Sequence, residues 1–174
     1  MVEAGVLAPG ERAELIDGEV LAMTPQGSLH ATAVRLAEEA LRAAFGAGYD
    51  IRVQMPLALD PSSEPEPDVA VVRGSPRDYR DAHPASALLV VEVADTTLGY
   101  DRDQKGSLYA RAGVAEYWIV NLLDRRVEVC RDPTPESQAR YGWAYRNVGS
   151  YATGDQVSPL ALPRATVPVA DLVP

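Results

Sequence analysis

Residues 87–94 are Ala-Leu-Leu-Val-Val-Glu-Val-Ala, a nearly continuous apolar run that follows a polar loop. A run of this length, rich in branched apolar residues, is typical of a β-strand whose two faces are both covered. Such a strand needs a packing layer on each side. The run therefore predicts the middle of an α/β fold, in which helices pack against a sheet.

The segments around this strand predict that the sheet is mixed and mostly antiparallel. Asp17-Gly18 separates two short strand-like runs, and this dipeptide favours a hairpin because both of its residues adopt positive φ. Apolar residues recur at helical spacing over 29–45, after Ser28 as the predicted N-cap, and over 101–112. Strands are predicted at 13–16, 19–23, 49–59, 68–72, 87–94, 116–122, 126–131, 141–148 and 166–169.

The composition predicts one folded domain over residues 1–174. Apolar residues make up 47% and charged residues 24%, a globular mixture that excludes a disordered or fibrous chain. Cys130 is the only cysteine, so a disulfide framework is excluded as well. The N-terminal residues lack the pattern of a secretory signal, and no apolar run approaches the ~18 residues of a membrane helix. We therefore expect a soluble, cytoplasmic protein without a membrane partner.

The formal net charge of −9 disfavours tight, non-specific binding of nucleic acid through lysine and arginine. A bound metal ion brings its own positive charge, so a phosphate-containing ligand is not excluded. Of the 16 basic residues, 15 are arginine and one, Lys105, is lysine. The position of this single lysine therefore needs an explanation.

Glu92 is the anomaly of the central strand, because a carboxylate covered on both sides is costly unless it is paired or bound to a metal. The simpler interpretation is a strand-end residue that faces solvent or pairs with an arginine. Asp68 follows Pro67 and opens the preceding strand, where an aspartate is commonly just part of a turn. If the two strands are neighbours, however, both carboxylates converge on one divalent cation, and Mg²⁺ favours such a site.

Lys105 lies on the predicted packing face of the second helix. It shares a stripe at helical spacing with Asp101, Leu108 and Tyr109. A surface pair between Asp101 and Lys105 is the alternative, worth roughly 0.2–0.5 kcal/mol. Such a pair normally lies on the solvated face, so we expect the ammonium group to lie beside the two carboxylates, where it can stabilise charge on a phosphate.

Glu14 and His30 are weaker candidates. Glu14 lies in the first hairpin strand, where a surface position explains it equally well. His30 lies in the first turn of the first helix, and a single histidine is more often structural than catalytic, although there it can contact phosphate or a metal-bound water.

The order of these residues resembles the Uma2 family, which lies within the PD-(D/E)XK restriction-endonuclease-like superfamily. The resemblance covers about residues 10–131, and its most specific part is the segment Gly-Val-Ala-Glu-Tyr-Trp at 113–118. The matching positions are Glu14-Leu15-Ile16-Asp17-Gly18-Glu19, His30, Pro67-Asp68-Val69, Val91-Glu92-Val93, Tyr100-Asp101, Lys105, Tyr109 and 113–120.

The resemblance implies a restriction-endonuclease-like core, a mixed sheet with a helix on either side. Asp68 and Glu92 match the metal-binding carboxylates. The superfamily's lysine usually lies two residues after the second acid, where this chain has Ala94, but in the Uma2 pattern it lies on the following helix and Lys105 matches it.

Further positions match the family in part. Glu14 and His30 match other polar positions of its pocket. Residues 94–96 are Ala-Asp-Thr where the family tends to have Ser-Pro-Ser, and Asn121 stands where it tends to have aspartate. Neither departure removes a predicted ligand.

The resulting hypothesis is a Mg²⁺- or Mn²⁺-dependent endonuclease that hydrolyses phosphodiester bonds in DNA. Metal would be held by Asp68, Glu92 and the Val93 carbonyl. Lys105 would orient water or stabilise the transition state. Glu14 and His30 would position phosphate or a second metal. A homodimer is expected, because two active sites are needed to cut both strands. The alternatives are a non-catalytic module that binds nucleic acid or protein, which the acidic charge favours, and a hydrolase for another phosphate ester.

Overall fold

The computed structural model describes residues 12–23 and 25–174. Its centre is a six-stranded sheet in the order β3-β4-β5-β6-β7-β8, in which only the β5–β6 pair is parallel. The hairpin β1-β2 and the short pair β9-β10 lie outside this sheet. The strands are β1 Ala13–Ile16, β2 Glu19–Ala22, β3 Tyr49–Val53, β4 Val69–Arg73, β5 Leu89–Ala94, β6 Glu116–Asn121, β7 Arg126–Pro135, β8 Trp143–Ala152, β9 Gln156–Val157 and β10 Val167–Pro168. Single 3₁₀ turns lie at Pro76–Tyr79 and Val169–Asp171.

The first helix, α1 (Ser28–Phe45), covers one face of the sheet. Its apolar residues recur on one side, and burial of that side is what stabilises the helix. The buried residues are Ala33, Val34, Ala37, Leu41 and Phe45. They share a core with Val71, Val91 and Trp118 of the central strands. Full burial of a valine, leucine or phenylalanine side chain contributes about 1.5–3 kcal/mol, so Val34, Leu41 and Phe45 hold α1 firmly against the sheet.

The second helix, α2, covers the opposite face and contains an irregular turn. It has α-helical turns at Leu98–Tyr100 and Gly106–Arg111, which are joined by a π-helical turn at Asp101–Lys105. Tyr109 from this helix packs in a second core with Val90 of β5. π-helical turns within α-helices are frequent at functional sites. No helix of the described residues is long and apolar enough to cross a membrane.

The predicted elements are confirmed with shifts at their ends. Asp17 and Gly18 have φ of 49° and 87°, as the predicted hairpin turn requires. The N-cap prediction is wrong: Ser28 is already helical, and Gly27, which has no side chain to cap the helix, precedes it. The predicted strand 49–59 ends at Val53, because Gln54 takes up a left-handed backbone with φ of 52°.

The seventh strand extends beyond its predicted end at residue 131. The added segment contains Pro133 and Pro135, and proline cannot donate a backbone hydrogen bond to a sheet. Beyond Arg131, however, β7 has lost its partner β6 and pairs with β8 alone. Proline is tolerated at such an edge, so the hairpin β7-β8 continues past the body of the sheet.

Glu116, in the segment that carried the family resemblance, has a structural role. Its side chain is fully buried. It accepts hydrogen bonds from Nε1 of Trp118 at 3.0 Å, from Arg131 at 2.6 Å and from the N–H of Leu160 at 2.7 Å. A buried carboxylate with this many donors is well satisfied, and it ties β6, β7 and the C-terminal segment together.

A bidentate ion pair joins α2 to β7. Nε and Nη2 of Arg102 donate to the two carboxylate oxygens of Glu128 at 2.9 and 2.6 Å. These hydrogen bonds lower the pKa of Glu128 below its ordinary value of 4.5. The pair therefore stabilises the fold above that pH, and its contribution is lost as the pH falls through the folded-state pKa.

We predict that Glu128→Gln lowers the free energy of unfolding by about 1 kcal/mol at pH 7, a modest effect because Arg102 is half exposed and screened by solvent. The difference from wild type should shrink as the pH falls below 4.5 through the folded-state pKa, because the carboxylate then becomes protonated. Urea titrations at pH 7 and at a series of lower pH values measure it, and a difference that does not change with pH would contradict an electrostatic role.

Candidate active site

All six residues predicted for the site line one cavity of about 460 Å³ beside β4, β5 and α2. These residues are Glu14, His30, Asp68, Glu92, Val93 and Lys105. They come from the first hairpin, both helices, β5 and the residue directly before β4, so only the folded chain brings them together. Their catalytic and metal-binding roles stay predictions.

Asp68 and Glu92 are neighbours across two strands, as the sequence hypothesis required. β4 and β5 are antiparallel with Val69 opposite Val91, and extending this register by one residue places Asp68 opposite Glu92. The N–H of Asp68 donates to Oε2 of Glu92 at 3.1 Å, and the N–H of Val93 donates to Oδ2 of Asp68 at 2.9 Å. Backbone hydrogen bonds thus fix the orientation of both carboxylates.

Lys105 is buried between two carboxylates. Its Nζ lies 2.5 Å from Oε2 of Glu14 and 3.3 Å from Oε1 of Glu92. Burial alone would lower the pKa of Lys105, but the charges of Glu92 and Glu14 outweigh it and raise that pKa. The lysine is therefore protonated at neutral pH and provides a fixed positive charge inside the cavity.

His30 reaches the same cavity from α1. Its Nε2 lies 3.1 Å from Oδ1 of Asp68, and Nε2 of Gln54 donates to the same oxygen at 3.1 Å. The hydrogen bond to Asp68 raises the pKa of His30. Burial would raise the pKa of Asp68, but His30 and the other donors lower it below its ordinary value, so Asp68 is an anion at neutral pH.

Negative charge is in excess in this cavity. Four buried carboxylates line it against a single buried lysine: Glu14, Asp68, Glu92 and Asp101. Burial raises the pKa of Glu92 to about 8, despite the opposing charge of Lys105, and burial also raises the pKa of Asp101 to about 6. The first cause of both shifts is burial, which disfavours the charged carboxylate, and a bound cation would oppose it.

The two central carboxylates fit a hard divalent cation. Oδ2 of Asp68 and Oε2 of Glu92 each accept only one hydrogen bond from the described residues, so each has a lone pair left. Within residues 12–23 and 25–174, no three His, Cys, Asp or Glu side chains are arranged as a metal-binding group. Two carboxylates with the remaining positions left to water and phosphate oxygens are the arrangement that Mg²⁺ prefers.

Tyr109 and Gln54 belong to the site, although the sequence did not identify their contacts. Tyr109 donates to Oε1 of Glu92 at 2.7 Å. It was on the same helical stripe as Lys105, so that spacing was an available signal. Gln54 has a left-handed backbone conformation directly after β3, and its side chain donates a hydrogen bond to Asp68. No sequence pattern indicated this contact.

A larger cavity, of about 750 Å³, lies on the other side of α2. Its lining includes Trp143, Tyr145 and Val148 of β8, and the carboxylate of Glu128 there is already paired with Arg102. None of the six predicted site residues lines it. The smaller cavity is therefore the better candidate, because it holds the charged groups that phosphate chemistry needs.

Comparison with known proteins agrees with this fold and with the sequence resemblance. The model of the Uma2 family, described as "Putative restriction endonuclease", matches residues 3–170. A search of the curated proteins gave no match. The chain is similar to a solved structure described as "a putative nuclease belonging to DUF820 from Anabaena variabilis ATCC 29413", with a TM-score of 0.68 and 12% identity over 98% of this chain and 94% of that chain. At this identity the likeness confirms the fold alone, whereas the family match spans nearly the whole sequence, and the chain therefore belongs to the Uma2 family.

Proposed function

We propose that the protein is a metal-dependent endonuclease that hydrolyses phosphodiester bonds in DNA. The observation that carries this proposal is the buried Lys105, held between Glu14 and Glu92 next to Asp68 in an open cavity. The family match supports a nuclease. Burying four carboxylates and a lysine together is costly for stability alone, so a chemical role is the better explanation.

Asp68, Glu92 and the carbonyl of Val93 are the residues that would hold Mg²⁺ or Mn²⁺. When bound, the metal supplies Lewis acidity toward the phosphate and acidifies water for attack. The protein's part is to fix the two carboxylates, which the N–H groups of Asp68 and Val93 and the hydroxyl of Tyr109 do.

The role that we propose for Lys105 is to stabilise charge on the phosphate. An ammonium group has three N–H donors, and two of them face Glu14 and Glu92. Among the described residues no third group accepts from Nζ, so one donor remains for a phosphate oxygen or the attacking water. Phosphoryl transfer depends mainly on positioning and on electrostatic stabilisation of this kind. We infer that His30, which is held by Asp68, contacts the phosphate from the α1 side.

DNA is the proposed substrate, and a homodimer is the proposed assembly. With a net charge of −9, the protein attracts the phosphate backbone only weakly over most of its surface. Binding should therefore depend on the groups within the cavity, and a bound metal should strengthen it. Because one site cuts one strand, double-strand cleavage requires two copies, and analytical ultracentrifugation tests this assembly.

The experiment that tests the proposed function uses closed circular substrates, which have no ends. Supercoiled plasmid, circular single-stranded DNA and circular RNA are incubated with the protein in Mg²⁺, Mn²⁺ or EDTA. We expect cleavage of circular DNA with either metal and none in EDTA. Cleavage that persists in EDTA, or RNA cut in preference to DNA, would contradict the proposal.

A further inference from the structure

The buried hydroxyl group of Tyr100 has no hydrogen-bond partner in the part of the chain that the structure describes. Within the described residues, only two buried side-chain polar atoms lack a partner, Oη of Tyr100 and Nε of Arg52. Another nitrogen of Arg52 does have a partner, because Nη2 lies 3.2 Å from Nδ1 of His83. Tyr100 has only the one polar atom, so its side chain is wholly unsatisfied. Native proteins rarely leave a buried hydroxyl in this state, and such a group calls for a ligand, a water or a catalytic role.

Three other tyrosines of the fold show how unusual this is. Tyr109 donates to Glu92 at 2.7 Å, Tyr117 donates to the carbonyl of Asp101 at 3.1 Å, and Tyr145 donates to the carbonyl of Val114 at 2.8 Å. Each of these hydroxyls has found an acceptor within the fold. Tyr100 has none among the described residues, although carboxylates are close by.

Tyr100 lines the candidate active site. It directly precedes the π-helical turn that carries Lys105, and both residues line the cavity of about 460 Å³. Burial, followed by the negative charge of Glu14, raises the pKa of Tyr100 to about 12. At neutral pH the hydroxyl is therefore a donor.

An anionic oxygen of a ligand is the hydrogen-bond acceptor that best suits the Tyr100 hydroxyl. The carboxylates of Glu14 and Glu92 form ion pairs with Lys105, and Glu92 also accepts a hydrogen bond from the hydroxyl of Tyr109. A phosphate oxygen accepts hydrogen bonds without donating any, and here it would meet the Lys105 ammonium group and the Tyr100 hydroxyl together. Hydrogen bonds to charged groups are stronger than neutral ones.

We propose that Tyr100 is a further catalytic residue, whose hydroxyl donates a hydrogen bond to a non-bridging oxygen of the phosphodiester being cut. This inference rests on the proposed function and names a substrate contact within it. It also explains why the hydroxyl has no partner within residues 12–23 and 25–174, since the acceptor arrives with the substrate.

Tyr100→Phe tests the proposal because it removes the hydroxyl and nothing else. No hydrogen bond among the described residues is lost, so the melting temperature should be equal to that of wild type or higher. Cleavage of supercoiled plasmid in Mn²⁺ should slow about tenfold to a hundredfold, the range for loss of a hydrogen bond to a charged group. Affinity for a single-stranded oligonucleotide, measured by fluorescence anisotropy in EDTA, should weaken as well.

Tyr145→Phe is the matched control. It removes the same atom from a tyrosine whose hydroxyl bonds the carbonyl of Val114, outside the cavity. We expect this variant to lose stability and to keep the wild-type cleavage rate and oligonucleotide affinity. The two substitutions should therefore have opposite effects on stability and on activity.

The outcomes separate this inference from the proposed function. If wild type cuts and Tyr100→Phe cuts and binds equally well, the inference is wrong and the proposed function stands. A loss of stability in Tyr100→Phe with an unchanged rate also overturns it, because the hydroxyl then has a structural partner. If wild type cuts nothing, the proposed function fails, and the affinity ratio in EDTA decides whether Tyr100 contacts the phosphodiester: equal affinity rejects the contact, and weaker binding by the variant retains it.

Discussion

Replacing Asp68 with asparagine is expected to reduce metal-dependent cleavage about a thousandfold or more. The metal contributes several kcal/mol of transition-state stabilisation, and each 1.4 kcal/mol corresponds to roughly tenfold in rate. Asparagine keeps the shape of the side chain but has one oxygen and no charge. It cannot accept from His30, Gln54 and Val93 and also bind a cation, as the carboxylate can.

The matched control for this variant is Asp81→Asn, an exposed aspartate beside Arg80. It should leave the cleavage rate unchanged. Plasmid cleavage and calorimetric titration with Mn²⁺ are measured for both variants, with circular dichroism to verify the fold. Full Mn²⁺ affinity in folded Asp68→Asn would contradict the assignment of Asp68 as a ligand.

Replacing Lys105 with methionine is expected to reduce both activity and stability. Loss of a preorganised positive charge at a transition state typically costs about a hundredfold to a thousandfold in rate. Removing one partner of a buried ion pair is strongly destabilising, about 3–5 kcal/mol, because it leaves uncompensated charge behind. Here the groups left behind are Glu14 and Glu92.

A double variant separates these two effects. Glu14→Gln combined with Lys105→Met removes one orphaned carboxylate, so it should recover part of the lost stability. It should not recover cleavage, because the ammonium group is still absent. Urea denaturation and plasmid cleavage are compared for the single and double variants. Recovery of the cleavage rate along with stability would show that Lys105 serves the fold alone.

The central part of the site could be predicted because Glu92 and Lys105 are charged residues at positions where the sequence pattern favours apolar ones. A glutamate within an apolar strand and the only lysine on a packing face are both visible in the sequence. Glu92 and Lys105 are indeed buried and in contact. Asp68 could be predicted as a site residue only together with Glu92, because the register of two neighbouring strands is needed to bring it opposite that glutamate.

Other features depended on contacts between distant segments, which no local pattern encodes. The orphan hydroxyl of Tyr100 can be recognised only once all of its neighbours are known. The π-helical turn at Asp101–Lys105 has no clear sequence signature, so a regular helix was predicted there. Glu116 resembled a family motif residue, whereas its burial and three partners give it a structural role.

The most direct test of the central claim compares wild type, Asp68→Asn and Lys105→Met on supercoiled plasmid, in Mn²⁺ and in EDTA. The claim is that Asp68, Glu92 and Lys105 form a metal-dependent phosphodiesterase centre. We predict nicking by wild type in Mn²⁺, none in EDTA, and loss of nicking in both variants. Variants that nick as fast as wild type, or a wild type that nicks nothing, would contradict the claim and favour a non-catalytic binding module with the same fold.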